Sequence, residues 1–176
     1  MQGFVACSRA CYAVVLGQYP DQKNVWAQAV ALERRYGSDD AATELLKAAV
    51  ESCPGSQELW MLYAHHLRSS SDLDRARQVL AEAIRANPSS SVLWLASASL
   101  ERSSDHADRA EALLRRALIS APSVDVWMKL SKLLRSQGRT GDAQKTLQDG
   151  LSKFPKSGEM WSLLGSLHES MAAELR

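Results

Sequence analysis

The chain has 176 residues, with 21 Lys and Arg against 20 Asp and Glu and a formal net charge of +1. So even a balance argues against wrapping bare nucleic acid, which takes many cations to neutralise phosphates, and no apolar run is long enough to span a membrane. Three Cys, an odd number without the look of a disulfide scaffold, favour a reducing compartment, cytosol or nucleus.

The opening stretch "MQGFVACSRACYAVVLG" lacks a basic leader and carries scattered polar residues. It reads as an amphipathic helix over 4–18, not a signal peptide. From Pro20 onward the chain repeats. "YPDQKNVW", "CPGSQELW", "NPSSSVLW", "APSVDVW" and "FPKSGEMW" each couple a Pro to a Trp, and together use every Pro and every Trp. Trp26, Trp60, Trp94, Trp127 and Trp161 follow one another in steps of 34, 34, 33 and 34. Such a period marks stacked helix–turn–helix units.

The repeats fall at 21–54, 55–88, 89–122 and 123–155, with half units at 1–20 and 156–176. In each, a first helix opens just before the Trp. The Trp and the positions three, four and seven later share one face. The second helix alternates small residues with Leu: Ala42, Leu46 and Ala49, then Ala76, Leu80 and Ala83. Ala110, Leu114 and Ala117 follow, then Ala143, Leu147 and Gly150. Small residues let the two helices approach, and Trp and Leu fill what remains. Pro54, Pro88, Pro122 and Pro155 then break the chain, having no N–H and biasing the preceding residue away from α. The five Trp and these Pro form the structural set. The turns "GSDD", "SSSDLD", "SSDHAD" and "GRTGD" hold Asp40, Asp74, Asp108 and Asp142. These are expected to cap the second helices or face their positive dipole ends, with Ser and Asn capping the first helices.

The expected fold is all-α, an α-α superhelix running as a single solenoid segment over 1–176. Residues 4–18 read as a second helix without its first, and the stretch from 159 as a first helix without its second. Neither end resembles the polar cap that closes a repeat array. "MAAELR" is too short to supply a partner helix. The chain is therefore expected to be a segment of a longer solenoid.

Trp, Ala, Ala or Gly, and Pro at these offsets resemble tetratricopeptide repeats. "VWAQAVALE" (Trp26, Glu33) and "LWLASASLE" (Trp94, Glu101) resemble the half-a-tetratricopeptide, or HAT, version of RNA-processing proteins. "QYPDQKNVWAQAVALERRYG", "AVESCPGSQELW", "DRARQVLAEAIRANPSSSVLWLASASLE" and "APSVDVWMKLSKL" are similar to the HAT array of the pre-mRNA-processing factor six family, over roughly residues 7–165. The resemblance implies a nuclear, tri-snRNP-bridging scaffold without catalytic activity, cofactor or small-molecule ligand, contacting spliceosomal snRNP proteins along its superhelix. Two repeats depart from the pattern, with Leu67 and Leu134 where the HAT version has Glu, and resemble ordinary tetratricopeptide units. These residues contain no counterpart of that family's N-terminal region, so its separate bridging work is not carried over.

First helices line the inner surface of such arrays, and positions one, five and eight after the Trp share a face there. The first row is Ala27, Met61, Leu95, Met128 and Ser162; the second is Ala31, His65, Ser99, Lys132 and Ser166. The third is Arg34, Arg68, Arg102, Arg135 and Glu169. Arg forks suit carboxylates and Met surfaces adapt to apolar side chains. The rows therefore suggest a groove for an extended or helical segment with acidic and apolar residues. Two plainer readings stand beside it. Arg near a helix C-terminus is favourable with the dipole and simply solvated, and Met61 and Leu95 pack between repeats. No aromatic row flanks the Arg for base stacking, so any RNA contact is expected to be indirect or weak.

Cys7 and Cys11 lie four apart on one helix without two further zinc ligands nearby. With Cys53 they read as buried or half-buried thiols. No HExxH, phosphate loop or nucleophile elbow occurs, and Ser166, His168 and Glu169 in "SLHES" point to different helix faces. Three alternatives to the splicing scaffold remain. One is a chaperone-associated tetratricopeptide adaptor, for whose carboxylate-clasping Lys/Asn set only Lys132 fits. Another is a dimeric HAT protein of RNA 3′-end or ribosomal-RNA processing. The last and most distant is an enzyme.

Overall fold

The computed structural model describes residues 2–174 and is helical throughout, with short turns between helices. The helices are α1 (Gln2–Gln18), α2 (Lys23–Tyr36), α3 (Asp39–Ser52), α4 (Gln57–Ser69) and α5 (Leu73–Ala86). They continue as α6 (Ser91–Ser103), α7 (Ala107–Ser120), α8 (Val124–Ser136), α9 (Thr140–Lys153) and α10 (Gly158–Glu174). The last two residues of "MAAELR" lie outside the described ones. The chain divides into two compact units, Met1–Pro88 and Ser89–Arg176. Unit 1 holds α1 to α5 and unit 2 holds α6 to α10.

Sequence chemistry sets the turns. Ser71, Asp105 and Gly138 adopt left-handed φ of 62°, 61° and 77°. Each lets the following N–H reach the carbonyl five residues back: Asp72 to Leu67, His106 to Glu101, and Arg139 to Leu134, at 2.9, 2.9 and 3.0 Å. This closes the first helix in a Schellman-like wrap. The α2–α3 turn is one residue shorter, and there the Gly37 N–H reaches Glu33 O at 2.8 Å. Of the two roles expected for the Asp of these turns, the structure shows the one at the dipole end. Ser38 and Asp72 cap α3 and α5, accepting from the N–H of Ala41 and Arg75. Asp40, Asp74, Asp108 and Asp142 sit inside the first turns, where their charge meets the positive dipole end. Ser90 and Ser123 cap α6 and α8, whereas Asn87 closes the end of α5.

Each helix pair closes on its small residues. Ala42, Leu46 and Ala49 are wholly buried between α2 and α3, and the equivalent Ala and Leu of the other pairs are buried likewise. Trp26, Trp60, Trp94 and Trp127 are only 4–6% exposed. The coupling of Pro to Trp has a second cause beyond helix termination. The indole N–H of Trp26, Trp60 and Trp161 donates to the carbonyl of the Pro six residues earlier, at 2.8, 2.8 and 3.0 Å. The residue closing the second helix reaches the same carbonyls one repeat on. Cys53 Sγ donates to Pro20 O at 3.4 Å and Asn87 Nδ2 to Pro54 O at 2.8 Å.

The single step of 33 breaks this pattern. Only three residues separate α7 from α8, where four separate the other repeats. Pro122 thus lies five residues before Trp127, and the Trp127 indole N–H is buried without a partner among the described residues. Trp60→Phe therefore removes a hydrogen bond, while Trp127→Phe removes an orphaned donor. Denaturant unfolding should find the first more destabilising by about 1–2 kcal/mol. Equal losses would contradict the difference.

Two expectations are corrected. Trp161 is 56% exposed, not a core residue, because no element among the described residues covers its face of α10. Cys7 and Cys11 are exposed on α1, and only Cys53 is half-buried. Burial, then Asp21, pushes the Cys53 thiol pKa above its ordinary value. The HAT-type Glu33 is a structural acid, buried and held by the forked Arg9 guanidinium at 2.6 and 2.8 Å, which ties α1 to α2.

Candidate partner-binding surface

The surface is built on α2, α4, α6 and α8. Within unit 1, α2 touches α4; within unit 2, α8 touches both α6 and α10. Among the described residues the backbones of second helices within a unit stay farther apart than those of first helices, although Arg139 at the start of α9 reaches Glu111 of α7 at 2.8 Å. Each unit is therefore closer-packed along its first helices.

The 3.6-residue period turns position eight after the Trp away from the pair's core. Arg34, Arg68, Arg102 and Arg135 are all exposed, each in the last turn of its helix. Among the described residues none of them forms an ion pair, in contrast to Arg9, Arg75, Arg115 and Arg139, which do. His65 and Lys132 are exposed, with Ala31 beside Arg34. Met61, Leu95 and Met128 are half-buried, so they share their surface between neighbouring packing and solvent. On α10 the equivalent positions, Ser162, Ser166 and Glu169, are exposed and carry no cation. The structure thus brings Arg34, Met61, His65 and Arg68 onto the first helices of unit 1. It brings Leu95, Arg102, Met128, Lys132 and Arg135 onto those of unit 2.

His66 behaves differently from its neighbour. It is buried, with Nε2 3.1 Å from Thr43 Oγ1 and 3.2 Å from Asp39 O, and it fastens α4 to the start of α3. Among the described residues no three His, Cys, Asp or Glu stand together as a metal site. No helix there is long and apolar enough to cross a membrane. Sequence reasoning looked only at the first helices and missed a cleft between α3 and α5. One signal was Tyr63, three after Trp60, where the other repeats carry Ala29, Ser97, Leu130 and Leu164.

A family profile described as tetratricopeptide repeat matches residues 67–133 and 101–167, more than half of the chain. The chain belongs to the tetratricopeptide repeat family. Its tetratricopeptide units shade into the HAT version at the front, where a profile described as PRP39 N-terminal HAT repeat matches residues 2–86. The pre-mRNA-splicing factor prp1 of Schizosaccharomyces pombe is 40% identical over 57 residues. That likeness covers 30% of this chain, and the chain spans 6% of that protein's length. Among solved structures, a thermophilic tetratricopeptide protein of Thermus thermophilus aligns with a TM-score of 0.60 at 21% identity, over 94% of this chain and 91% of that one. The MamA protein aligns with a TM-score of 0.59 at 17% identity, over 87% and 84%. At such identities the likeness establishes the fold alone. A tetratricopeptide array is a helical scaffold suited to protein interaction.

Proposed function

We propose that this chain is a non-catalytic docking segment. The first-helix faces of its repeats seat an extended or helical protein segment bearing acidic and apolar side chains, and its setting is pre-mRNA splicing in the nucleus. One observation carries the docking reading: in each unit arginines at one repeat position are exposed and without ion-pair partners among the described residues, and the helices of Arg68, Arg102 and Arg135 also carry the half-buried Met61, Leu95 and Met128. A solvated Arg placed only for the helix dipole needs no recurring apolar neighbour. The splicing setting is supported by the HAT match over the front half and the partial likeness to prp1. The balanced charge favours protein partners over direct RNA contact.

Arg68→Glu together with Arg102→Glu is expected to weaken capture of partner proteins by about tenfold or more, with helicity unchanged. Pull-down from nuclear extract with the wild-type chain and the double variant is the measurement. Recovery of tri-snRNP proteins by the wild type and their loss from the variant is the expected result. Equal recovery by a folded variant would remove the arginines from the reading. The tetratricopeptide match over 67–167 favours a second reading, a general peptide-binding adaptor. Recovery of a major chaperone in place of snRNP proteins would select it.

A further inference from the structure

In unit 2 the second helices lay their own cations on the indoles. The Arg116 guanidinium lies 5.7 Å from the Trp94 ring centre and the Lys153 ammonium 5.4 Å from that of Trp127. These cations stand 22 and 26 residues after their Trp. The same offsets from Trp60 hold Glu82 and Ala86. Among the described residues no cation covers the Trp60 ring. Where Trp94 has an arginine, Trp60 has a carboxylate side chain.

Trp60 lines instead a cleft of about 580 Å³ between α3 and α5, in unit 1. Its floor is apolar, with Val50 and Val79 beside the indole, and its rim carries Glu44, Glu51 and Glu82. All three acids are exposed, and none is in an ion pair among the described residues. Of the two cations on the rim, Arg75 is held by Asp72 at 3.3 Å, which leaves Lys47 alone against three carboxylates. A second observation is independent of this charge. Tyr63, only 9% exposed, lines the same cleft, and its hydroxyl has no hydrogen-bond partner among the described residues. Burial raises its pKa above the ordinary tyrosine value, with Arg75 opposing and Glu44, Glu82 and Asp72 adding to the rise.

We propose that this cleft receives an arginine side chain of a protein partner. The guanidinium enters the cleft against the exposed edge of the Trp60 indole, donates to the Glu44, Glu51 and Glu82 carboxylates, and meets the Tyr63 hydroxyl. Arginine fits better than lysine because its planar, weakly hydrated head packs against an aromatic ring while bonding carboxylates sideways. The inference rests on reading the chain as a docking segment. It concerns the second helices of unit 1 and demands the opposite charge preference from the first-helix arginines.

The test is calorimetric titration of the whole chain with a short blocked peptide of alternating leucine and arginine. The same peptide carrying citrulline, arginine's uncharged isostere, is the comparison. The arginine peptide is expected to bind about tenfold more tightly than the citrulline one. Glu82→Arg copies the arrangement at Trp94, fills the cleft from within, and is expected to remove that preference while the helicity stays unchanged. Tyr63→Phe keeps the ring and is expected to weaken binding by about threefold. Equal affinity for the two peptides, absence of binding to the wild type, or full binding to a folded Glu82→Arg variant would each overturn the proposal. Arg68→Gln with Arg102→Gln, which adds no carboxylate, is expected to leave the preference for the arginine peptide over the citrulline one unchanged, so failure of the first-helix reading registers separately.

Discussion

Trp94→Ala is expected to lower the unfolding free energy by about 3–5 kcal/mol, whereas Trp161→Ala is expected to lower it by about 1–2 kcal/mol. The two residues hold the same repeat position, so helix propensity and local sequence context largely cancel in the comparison. What differs is burial. Trp94 is almost wholly enclosed within its helix pair, with Arg116 over the ring, and its removal leaves a cavity the size of an indole. Trp161 already presents more than half of its surface to solvent, so truncation returns less apolar area to water and creates no enclosed void. Urea unfolding followed by far-ultraviolet circular dichroism measures both. Repeat arrays can lose cooperativity, so each variant is read on the transition that loses the helices around its own indole, α6 and α7 for Trp94 and α9 and α10 for Trp161. Similar losses at the two positions would refute the packing assigned to them.

Gly150→Val is expected to cost about 3 kcal/mol, and Gly165→Ala to add about 0.5–1 kcal/mol. Both glycines lie within helices, where alanine is the better residue on backbone grounds. At Gly150 a Cβ would collide with the Met160 methyl and stand 3.0 Å from the Trp127 ring. The equivalent positions hold Ala49, Ala83 and Ala117, so the fourth pair closes more tightly around its indole than the others. Valine adds two further methyl groups to that contact. At Gly165 nothing stands within 4 Å of the place a Cβ would take, so only the backbone gain remains. Thermal melts of the two variants check the opposite signs. A stabilised Gly150→Val protein would show that α9 and α10 slide apart at no cost.

How much of this was legible beforehand depended on whether a signal repeats. Helix boundaries followed from Trp, Ala, Leu and Pro recurring at fixed offsets, each with a packing reason. Features set by one residue of difference were not legible. The shortened α7–α8 linker was visible as a step of 33, yet its result, an indole N–H stripped of its Pro carbonyl, needs the positions of both. Capping went to Asp72 and not Asp74 because the left-handed Ser71 sets where α5 begins. Trp161 carries the same local sequence cues as Trp60, and its exposure depends on what covers α10, which no local pattern encodes. The candidate arginines were placed by periodicity alone. The Trp60 cleft was missed because its meaning lies in a contrast between repeats, Glu82 against Arg116, and periodicity averages such contrasts away.

The uncovered face of α10 turns the chain into its own spectroscopic reporter. Four indoles emit from sheltered surroundings, while Trp161 emits from water and should be the one reached by an aqueous quencher such as iodide. Anything that settles on α10 will shift that component to the blue and shield it, leaving the emission of the other four unchanged. Occupancy of this face can then be followed with no label attached.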